Sequence, residues 1–273
     1  MDFTRIESDA NKKIKLAASL HQRKNREKEG LFLAEGVRLC EMVAESSWKV
    51  KFALVTEQLL STERGRALAD KLSAVAEVCL ASEKIFLKAA ATEQPQGILL
   101  VVEQQKNSLQ DLQAAENPLY VVLDGVQDPG NVGTIIRTAD AAGASAVLCT
   151  KGTADVFSDK VVRSTMGSLF HLPLVTGLGA EGILGFARAR NCDLLVTALD
   201  ESAQPLYGRN LARPIMLVFG NEGNGVSAEL LSAGEKTYIP MVGGAESLNV
   251  GVSAAVVLFE ALRQRKFSHS QQR

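Results

Sequence analysis

The sequence predicts an α/β protein built as two domains, and three observations carry that reading. Short apolar runs alternate with amphipathic stretches along the chain, the pattern of strands covered by helices. Several runs are apolar without a break, as in Ile98-Leu-Leu-Val-Val102, the mark of a strand buried on both faces. A polar stretch from Glu103 to Asn117, with Gln104, Gln105, Lys106, Asn107 and Ser108 at its start, then interrupts the alternation. The expected division is a first domain over 1–105, a linker over 106–117 and a second domain over 118–273.

In the first domain the pattern predicts a helix from Ile6 to His21, a short strand at Leu31–Ala34 and a helix from Gly36 through Ala44. A strand at Val50–Val55, a helix at Gln58–Leu72, a strand at Val75–Leu80 and a helix at Glu83–Ala90 follow. The strand at Ile98–Val102 closes a small α/β sandwich. In the second domain, strands are expected at Leu119–Leu123, Ala146–Cys149, Leu172–Val175, Leu194–Ala198, Ile215–Phe219 and Thr237–Pro240. Helices are expected at Val132–Ala142, Asp159–Leu169, Glu181–Arg190, Ala228–Ala233 and Val250–Arg265. Regular alternation of this kind implies a mostly parallel sheet covered on both faces.

Composition excludes several classes. Hydrophobic residues make up 46% and charged residues 22% of the 273, the balance of a globular protein with a substantial core. Cys40, Cys79, Cys149 and Cys192 are scattered among apolar neighbours with no C-x-x-C pair, so they read as reduced core thiols of a cytoplasmic protein, and no metal site is expected. No segment reaches the ~18 apolar residues of a membrane span. Met1-Asp2-Phe3-Thr4 begins no apolar signal segment. A net charge of −1 argues against non-specific coating of nucleic acid, but not against a local patch. One such patch gathers Lys12, Lys13, Lys15, His21, Arg23, Lys24, Arg26 and Lys28; a smaller one closes the chain with Arg263, Arg265, Lys266 and Arg273.

Ligands of open α/β sheets bind outside the carboxyl ends of the strands. Three loops at such ends are rich in Gly, Asn and charge. The first runs Asp124-Gly-Val-Gln-Asp-Pro-Gly-Asn131-Val-Gly133-Thr-Ile-Ile-Arg137, with Asn131 placed to cap the helix. The second is Phe219-Gly220-Asn221-Glu222-Gly223-Asn224-Gly225-Val-Ser227, whose glycines permit close backbone approach to a ligand. The third, Ile239-Pro240-Met241 through Ser247-Leu248-Asn249, enters an apolar helix that Ser247 or Asn249 would cap. Taken singly, each is also an ordinary turn or helix entry.

A fourth run, Gly177-Leu178-Gly179-Ala180-Glu181-Gly182, matches the G-x-G-x-x-G fingerprint of dinucleotide binding, with Asp200 where a ribose-binding acid would stand. That fingerprint belongs in a first βα turn, whereas three strands of the domain precede this one. A nicotinamide enzyme would also leave the other three loops without work.

As a set, the three loops resemble the SpoU/TrmH group of RNA ribose methyltransferases. The resemblance covers about residues 119–265: Asn131-Val-Gly133-Thr-Ile-Ile-Arg137-Thr-Ala, then Phe219 to Ser227, then Ile239-Pro-Met241 with Ser247-Leu-Asn249-Val-Gly251-Val-Ser253. The first hundred residues, ending in Gln94-Pro-Gln-Gly-Ile98, resemble the ribosomal-protein-like α/β domain of many members. The resemblance implies a deep trefoil knot in the second domain, a homodimer with a shared active site, and methyl transfer from S-adenosylmethionine to a ribose 2′-hydroxyl. The RNA would be ribosomal, by analogy with members that carry the extra domain. A transfer-RNA 2′-O-methyltransferase is one alternative. A non-catalytic RNA-binding protein of ribosome assembly is another, which the intact Asn131, Arg137, Glu222 and Asn249 argue against.

The resemblance places the cofactor against Thr197, Gly220, Asn221, Gly225, Ile239, Met241, Ser247 and Leu248. It gives Arg137 the central catalytic part, supported by Asn131, Glu222, Ser247 and Asn249. Because a guanidinium hardly deprotonates in proteins, the expected role is electrostatic: to hold the adjacent phosphate and steady the developing alkoxide. Lys12, Lys13, Arg23, Lys24 and Arg26 are the expected grip on RNA phosphates.

Overall fold

The structure, a computed structural model, describes residues 3–267, so Met1, Asp2 and Arg273 lie outside it. The chain forms two compact units, Met1–Gln105 with Asp155–Phe170, and Lys106–Ala154 with His171–Arg273.

The first unit opens with strand β1 (Thr4–Ile6), helices α1 (Lys12–Ser19) and α2 (Arg23–Glu29), strand β2 (Leu31–Glu35) and helix α3 (Val37–Glu45). Strand β3 (Val50–Val55), helices α4 (Glu57–Leu60) and α5 (Glu63–Ser73), strand β4 (Glu77–Ala81), helix α6 (Glu83–Phe86) and strand β5 (Ile98–Glu103) follow. The sheet order is β1-β4-β3-β5-β2, with β5 antiparallel to both neighbours and the other pairs parallel.

The helix expected over Ile6–His21 resolves into a strand and a shorter helix. Ile6 pairs with Ala81 at the sheet edge, and the Asn11 side chain accepts from Lys13 N–H to start α1. A three-residue edge strand is too short to show an alternation. Helix α2 is polar throughout, and Arg26 is the one residue it buries. The helix expected over Gln58–Leu72 breaks at Thr62, whose side chain caps α5 by accepting from Gly65 N–H at 3.0 Å.

The second unit begins with β6 (Leu119–Asp124), α7 (Pro129–Ala141) and β7 (Ala146–Thr150). The chain then contributes α8 (Asp159–Ser164) to the first unit and returns with β8 (Leu174–Leu178), α9 (Ala180–Ala189), β9 (Asp193–Thr197) and β10 (Gln204–Pro205). Strands β11 (Ile215–Gly220) and β12 (Glu235–Tyr238) flank α10 (Ala228–Ala233), and α11 (Val250–Leu262) ends in a π-helical turn over Arg263–Phe267. All seven strands run parallel in the order β10-β12-β9-β11-β6-β7-β8. From β6 the chain builds outward to β8, then crosses to β9 and inserts β11 beside β6. The carboxyl ends of β6 and β11 therefore form a topological switch point, the position that binds ligands in open α/β sheets. Helix α11 packs against α7 and β11.

Residues 155–170 were expected to continue the second domain, but their side chains pack on β2. Phe157 and Phe170 lie 5.0 and 6.4 Å from the Phe32 ring, and Trp48 meets Phe32 edge-on at 5.7 Å. Arg26 donates through Nε and Nη2 to Asp155 at 2.9 and 2.6 Å, and His21 Nδ1 faces Asp159 at 2.6 Å. Among the described residues, no helix is long and apolar enough to cross a membrane, and no group of His, Cys, Asp or Glu is disposed to hold a metal.

Candidate active site

The three loops picked out by composition meet at the switch point. The bond from Asn131 Nδ2 to Glu222 Oε1 is 2.9 Å, and Asn249 Nδ2 donates to Asn131 Oδ1 at 3.0 Å. One residue from each loop thus enters a continuous hydrogen-bonded chain. Glu222 also accepts from the backbone N–H groups of Gln127 and Asp128, both at 3.1 Å. Burial pushes the Glu222 carboxyl up, but the Asn131 amide and the surrounding N–H donors outweigh it and hold the group below its ordinary value.

Local chemistry explains the placement. Helix α7 starts at Pro129, earlier than expected, because Asp128 rather than Asn131 is its N-cap: Asp128 Oδ1 accepts from Asn131 N–H at 2.8 Å. Asn131 is thereby freed from capping to bridge the other two loops. Asn249 does both jobs, since its Oδ1 caps α11 through Gly251 N–H at 2.9 Å while its amide reaches Asn131.

The glycine-rich loop is held by Asn221, an expected cofactor residue, and by Asp124 and Thr150, to which the sequence assigned no role. Buried Asp124, at the end of β6, accepts from Ser227 N–H at 2.6 Å and from the Thr150 hydroxyl at 2.9 Å. Asn221 Nδ2 donates to Gly125 O at 2.8 Å, and its Oδ1 accepts from Gly223 and Asn224 N–H, both at 2.9 Å. An acid closing the apolar run Leu119–Leu123 was the available signal for Asp124. The fold itself also demands a glycine at position 220. A Cβ there would lie 2.3 Å from Gly225 C, so the loop's own return is enough to exclude a side chain.

Beside this network lies an open cavity of about 630 Å³, within the ~300–1,000 Å³ of small-molecule sites. Thr197, Gly220, Asn221, Gly225, Ile239, Met241, Ser247 and Leu248 all line it, with Glu222 and Asn249 at the wall. Ile239, Met241, Leu248 and Val257 supply apolar walls for a planar ring, and the turn backbone supplies polar groups. The Thr197 hydroxyl donates to Val218 O at 2.9 Å. This donor set and volume fit S-adenosylmethionine.

Arg137 stands apart from this cavity. It lies on the exposed face of α7, eight residues after Pro129, with no hydrogen bond or ion pair to any described residue. Of the expected RNA grip, Lys12 and Lys24 are exposed. Arg23 pairs with Glu27 at 2.7 Å, and Lys13 is held by Glu77 and Cys79. Arg26 does not belong to the grip: it is 4% exposed and spends its guanidinium on Asp155, Leu20 O and His21 O.

The G-x-G-x-x-G run is not a nucleotide site. It begins within β8, the edge strand, and three strands separate β8 from β9, which precedes Asp200. A Cβ at Gly177, Gly179 or Gly182 would meet nothing within 4 Å, so no close approach calls for glycine there. Asp200 is taken by Lys236 at 2.9 Å and by Ser202.

Comparison with known proteins agrees with this geometry. The SpoU rRNA Methylase family pattern matches residues 118–259, and that of the MRM3-like substrate binding domain matches 11–100. The chain is 38% identical over 258 residues to the 23S rRNA (guanosine(2553)-2′-O)-methyltransferase RlmP of Bacillus subtilis, covering 93% of this chain and 97% of that protein. It is 32% identical to the 23S rRNA (uridine(2479)-2′-O)-methyltransferase of Streptomyces viridochromogenes, over 91% and 88% of the two chains. Among solved structures, the AdoMet-bound rRNA methyltransferase of Sinorhizobium meliloti superposes with a TM-score of 0.87 at 33% identity, covering 97% and 99% of the chains. The chain belongs to the SpoU rRNA methylase family, with the knotted α/β domain preceded by a substrate-binding domain.

Proposed function

We propose that this protein transfers a methyl group from S-adenosylmethionine to a ribose 2′-hydroxyl of ribosomal RNA. The observation that carries the reading is the meeting of the Asn131–Glu222–Asn249 chain with a cavity lined by all eight expected cofactor residues. The names of relatives that cover nearly the whole chain support ribosomal RNA as the substrate. Those two relatives act on different nucleotides, a guanosine and a uridine.

When bound, S-adenosylmethionine supplies a methyl carbon activated by a positively charged sulfur. Thr197, Gly220, Ile239 and Leu248 would hold that cofactor along the cavity, and the ribose hydroxyl would take the methyl group while its proton passed to phosphate or water. The protein's part is alignment and charge stabilisation. Glu222 and Asn249 lock the Asn131 amide, and the amide chain fixes the α7 entry against the glycine loop. Ser247 lies on the cavity wall, within the same loop as Asn249.

The protein acts as a homodimer in the cytoplasm in this reading. Val252 and Phe259, 50% and 51% exposed, lie seven residues apart on α11, which packs on α7. Pairing α7 and α11 with a second copy would cover that apolar face and bring each Arg137 to the partner's cavity, where the guanidinium holds the RNA phosphate. The first unit holds the RNA, with Lys12 and Lys24 on phosphates.

The test uses labelled S-adenosylmethionine and total RNA from cells lacking the gene, followed by alkali. A methylated ribose cannot cyclise, so a labelled dinucleotide that survives alkali, and disappears with Arg137→Ala, is the expected result. Cofactor binding without transfer to any RNA would favour an assembly protein instead.

A further inference from the structure

The first unit has a cavity of its own, about 170 Å³, at the amino end of α3. It is below the ~300 Å³ at which drug-sized sites begin, so it admits one planar ring system and no whole nucleotide cofactor. Leu39, Met42 and Met166 give it apolar, polarisable walls suited to the face of a ring. Charged groups of both signs also line it. Arg38 is exposed at the rim. Arg163 lines the cavity too, and its Nη1 is buried with no hydrogen-bond partner among the described residues. Glu35 is 8% exposed; its carboxylate accepts from Ala91 N–H at 2.6 Å and from the Thr92 hydroxyl, and each oxygen keeps a lone pair.

A buried guanidinium N–H without an acceptor is costly, and acceptors offered from the cavity to the other nitrogens of Arg163 would offset that cost. The backbone adds a second sign. Met166 holds φ +49, a left-handed conformation rare for a side chain of its size, and is followed by Gly167 at φ +95. A Cβ at Gly167 would fall 2.1 Å from the end of Met42, so this strained turn is fitted to the methionine that lines the cavity. Strain held in place beside a cavity is characteristic of ligand sites.

We propose that this cavity takes one unstacked guanine base of the RNA, packed on Met42 and Met166 and read by Arg163 and Glu35. Guanine carries acceptors at O6 and N7 for an arginine, and N–H donors on its pairing edge for a carboxylate. Adenine would turn an amino donor toward the arginine instead. Sequence-specific RNA binding works mainly on such splayed single-stranded bases. The inference rests on the reading of the first unit as the RNA-holding part.

The test measures binding of the full chain to short oligouridylates carrying one central guanosine, one adenosine or neither. The guanosine oligomer should bind about tenfold more tightly, and Arg163→Gln should erase that preference while leaving the all-uridine affinity in place. Thioguanosine photo-crosslinking to the unmutated protein, independent of any folding defect, should label Met42 or the 162–170 peptide. Equal affinity for all three oligomers, or crosslinks confined elsewhere, would overturn the guanine pocket while RNA binding itself stood. Guanosine monophosphate binding as tightly as the oligomer would make this a free-nucleotide site and overturn it too. Failure of every RNA to bind, ribosomal RNA included, would remove the RNA-holding reading and the pocket with it.

Discussion

The Asn131 side chain stands between Glu222 and Asn249, donating to the first at 2.9 Å and accepting from the second at 3.0 Å. Its amide orientation is therefore fixed by its partners, since a carboxylate accepts only and Asn249 spends its own oxygen on the cap of α11.

Glu222→Gln should damage this arrangement more than its size suggests. The carboxylate accepts three N–H donors, from Gln127, Asp128 and Asn131, and an amide in its place would aim a donor at one of them. Loss of a hydrogen bond to a charged group corresponds to roughly a ten- to hundredfold fall in turnover. Cofactor affinity should change little, because this edge of Glu222 faces α7. Steady-state kinetics beside calorimetric cofactor titration checks this; an unchanged turnover would show that the three-loop junction is not needed for alignment. Because the Glu222 carboxyl is held below its ordinary value, the junction should persist as pH falls through the usual carboxylate range. A loss of turnover centred at an unshifted glutamate value would contradict that.

Arg137→Ala should abolish transfer yet leave thermal stability and cofactor binding intact, because the side chain is exposed, pairs with no described residue and does not line the cavity. Mixing Arg137→Ala with Glu222→Gln subunits tests whether sites are shared. If each site takes Arg137 from one subunit and Glu222 from the other, heterodimers hold one complete site, and activity should return to about a quarter of the unmutated rate. No recovery after subunit exchange would place Arg137 and Glu222 in the same subunit's site.

What the sequence made legible follows from how far each feature reaches along the chain. The strands from Leu119 to Thr237 and the three loops stood out because an apolar run and the turn after it are local signals. All eight expected cofactor residues share one cavity for that reason. The pairings of Arg26 with Asp155 and His21 with Asp159 span more than a hundred residues, and no local pattern announces them. Arg26 therefore read as part of a basic patch, and 155–170 as a continuation of the second domain. The capping error was finer: Asp128 and Asn131 are both good N-caps, and Pro129, favoured at the first helical position, was the deciding clue.

His21 gives the first unit a pH-dependent fastening. Its hydrogen bond with Asp159 raises its pKa, against a smaller opposing effect of burial, and Nε2 donates to Ala89 O at 3.0 Å. The folded value therefore lies above the ordinary 6.5, so this stabilisation is complete below 6.5 and disappears as pH rises through the folded value. The difference in melting temperature between the unmutated chain and His21→Gln should be largest at mildly acid pH and shrink toward alkaline pH. A difference that grew with pH would reverse the sign and refute the assignment. Arg26→Ala serves as the contrast: it removes the buried partner of the partly covered Asp155 and should cost about 2–4 kcal/mol at all these pH values.

The glycines of the second loop should differ sharply in their tolerance of alanine. At Gly220 a Cβ would lie 2.3 Å from Gly225 C and 2.4 Å from Val226 N, backbone atoms of the Asn221–Gly225 bridge that cannot yield without opening the turn. Gly220→Ala should therefore lower stability by about 1–3 kcal/mol and abolish cofactor binding, because the opened turn deforms the cavity wall. Gly225→Ala meets no atom within 4 Å but must hold φ +69, a strain of about 1–2 kcal/mol with cofactor binding weakened only in part. At Gly223 the nearest atom is Asn221 Oδ1 at 3.6 Å, an ordinary contact, so Gly223→Ala should leave the fold unchanged. Melting curves and cofactor titrations on the three variants separate two origins of the glycine demand. If Gly220→Ala kept its stability and lost only the cofactor, the demand would come from the ligand, and the turn's own backbone would not be what excludes a side chain there.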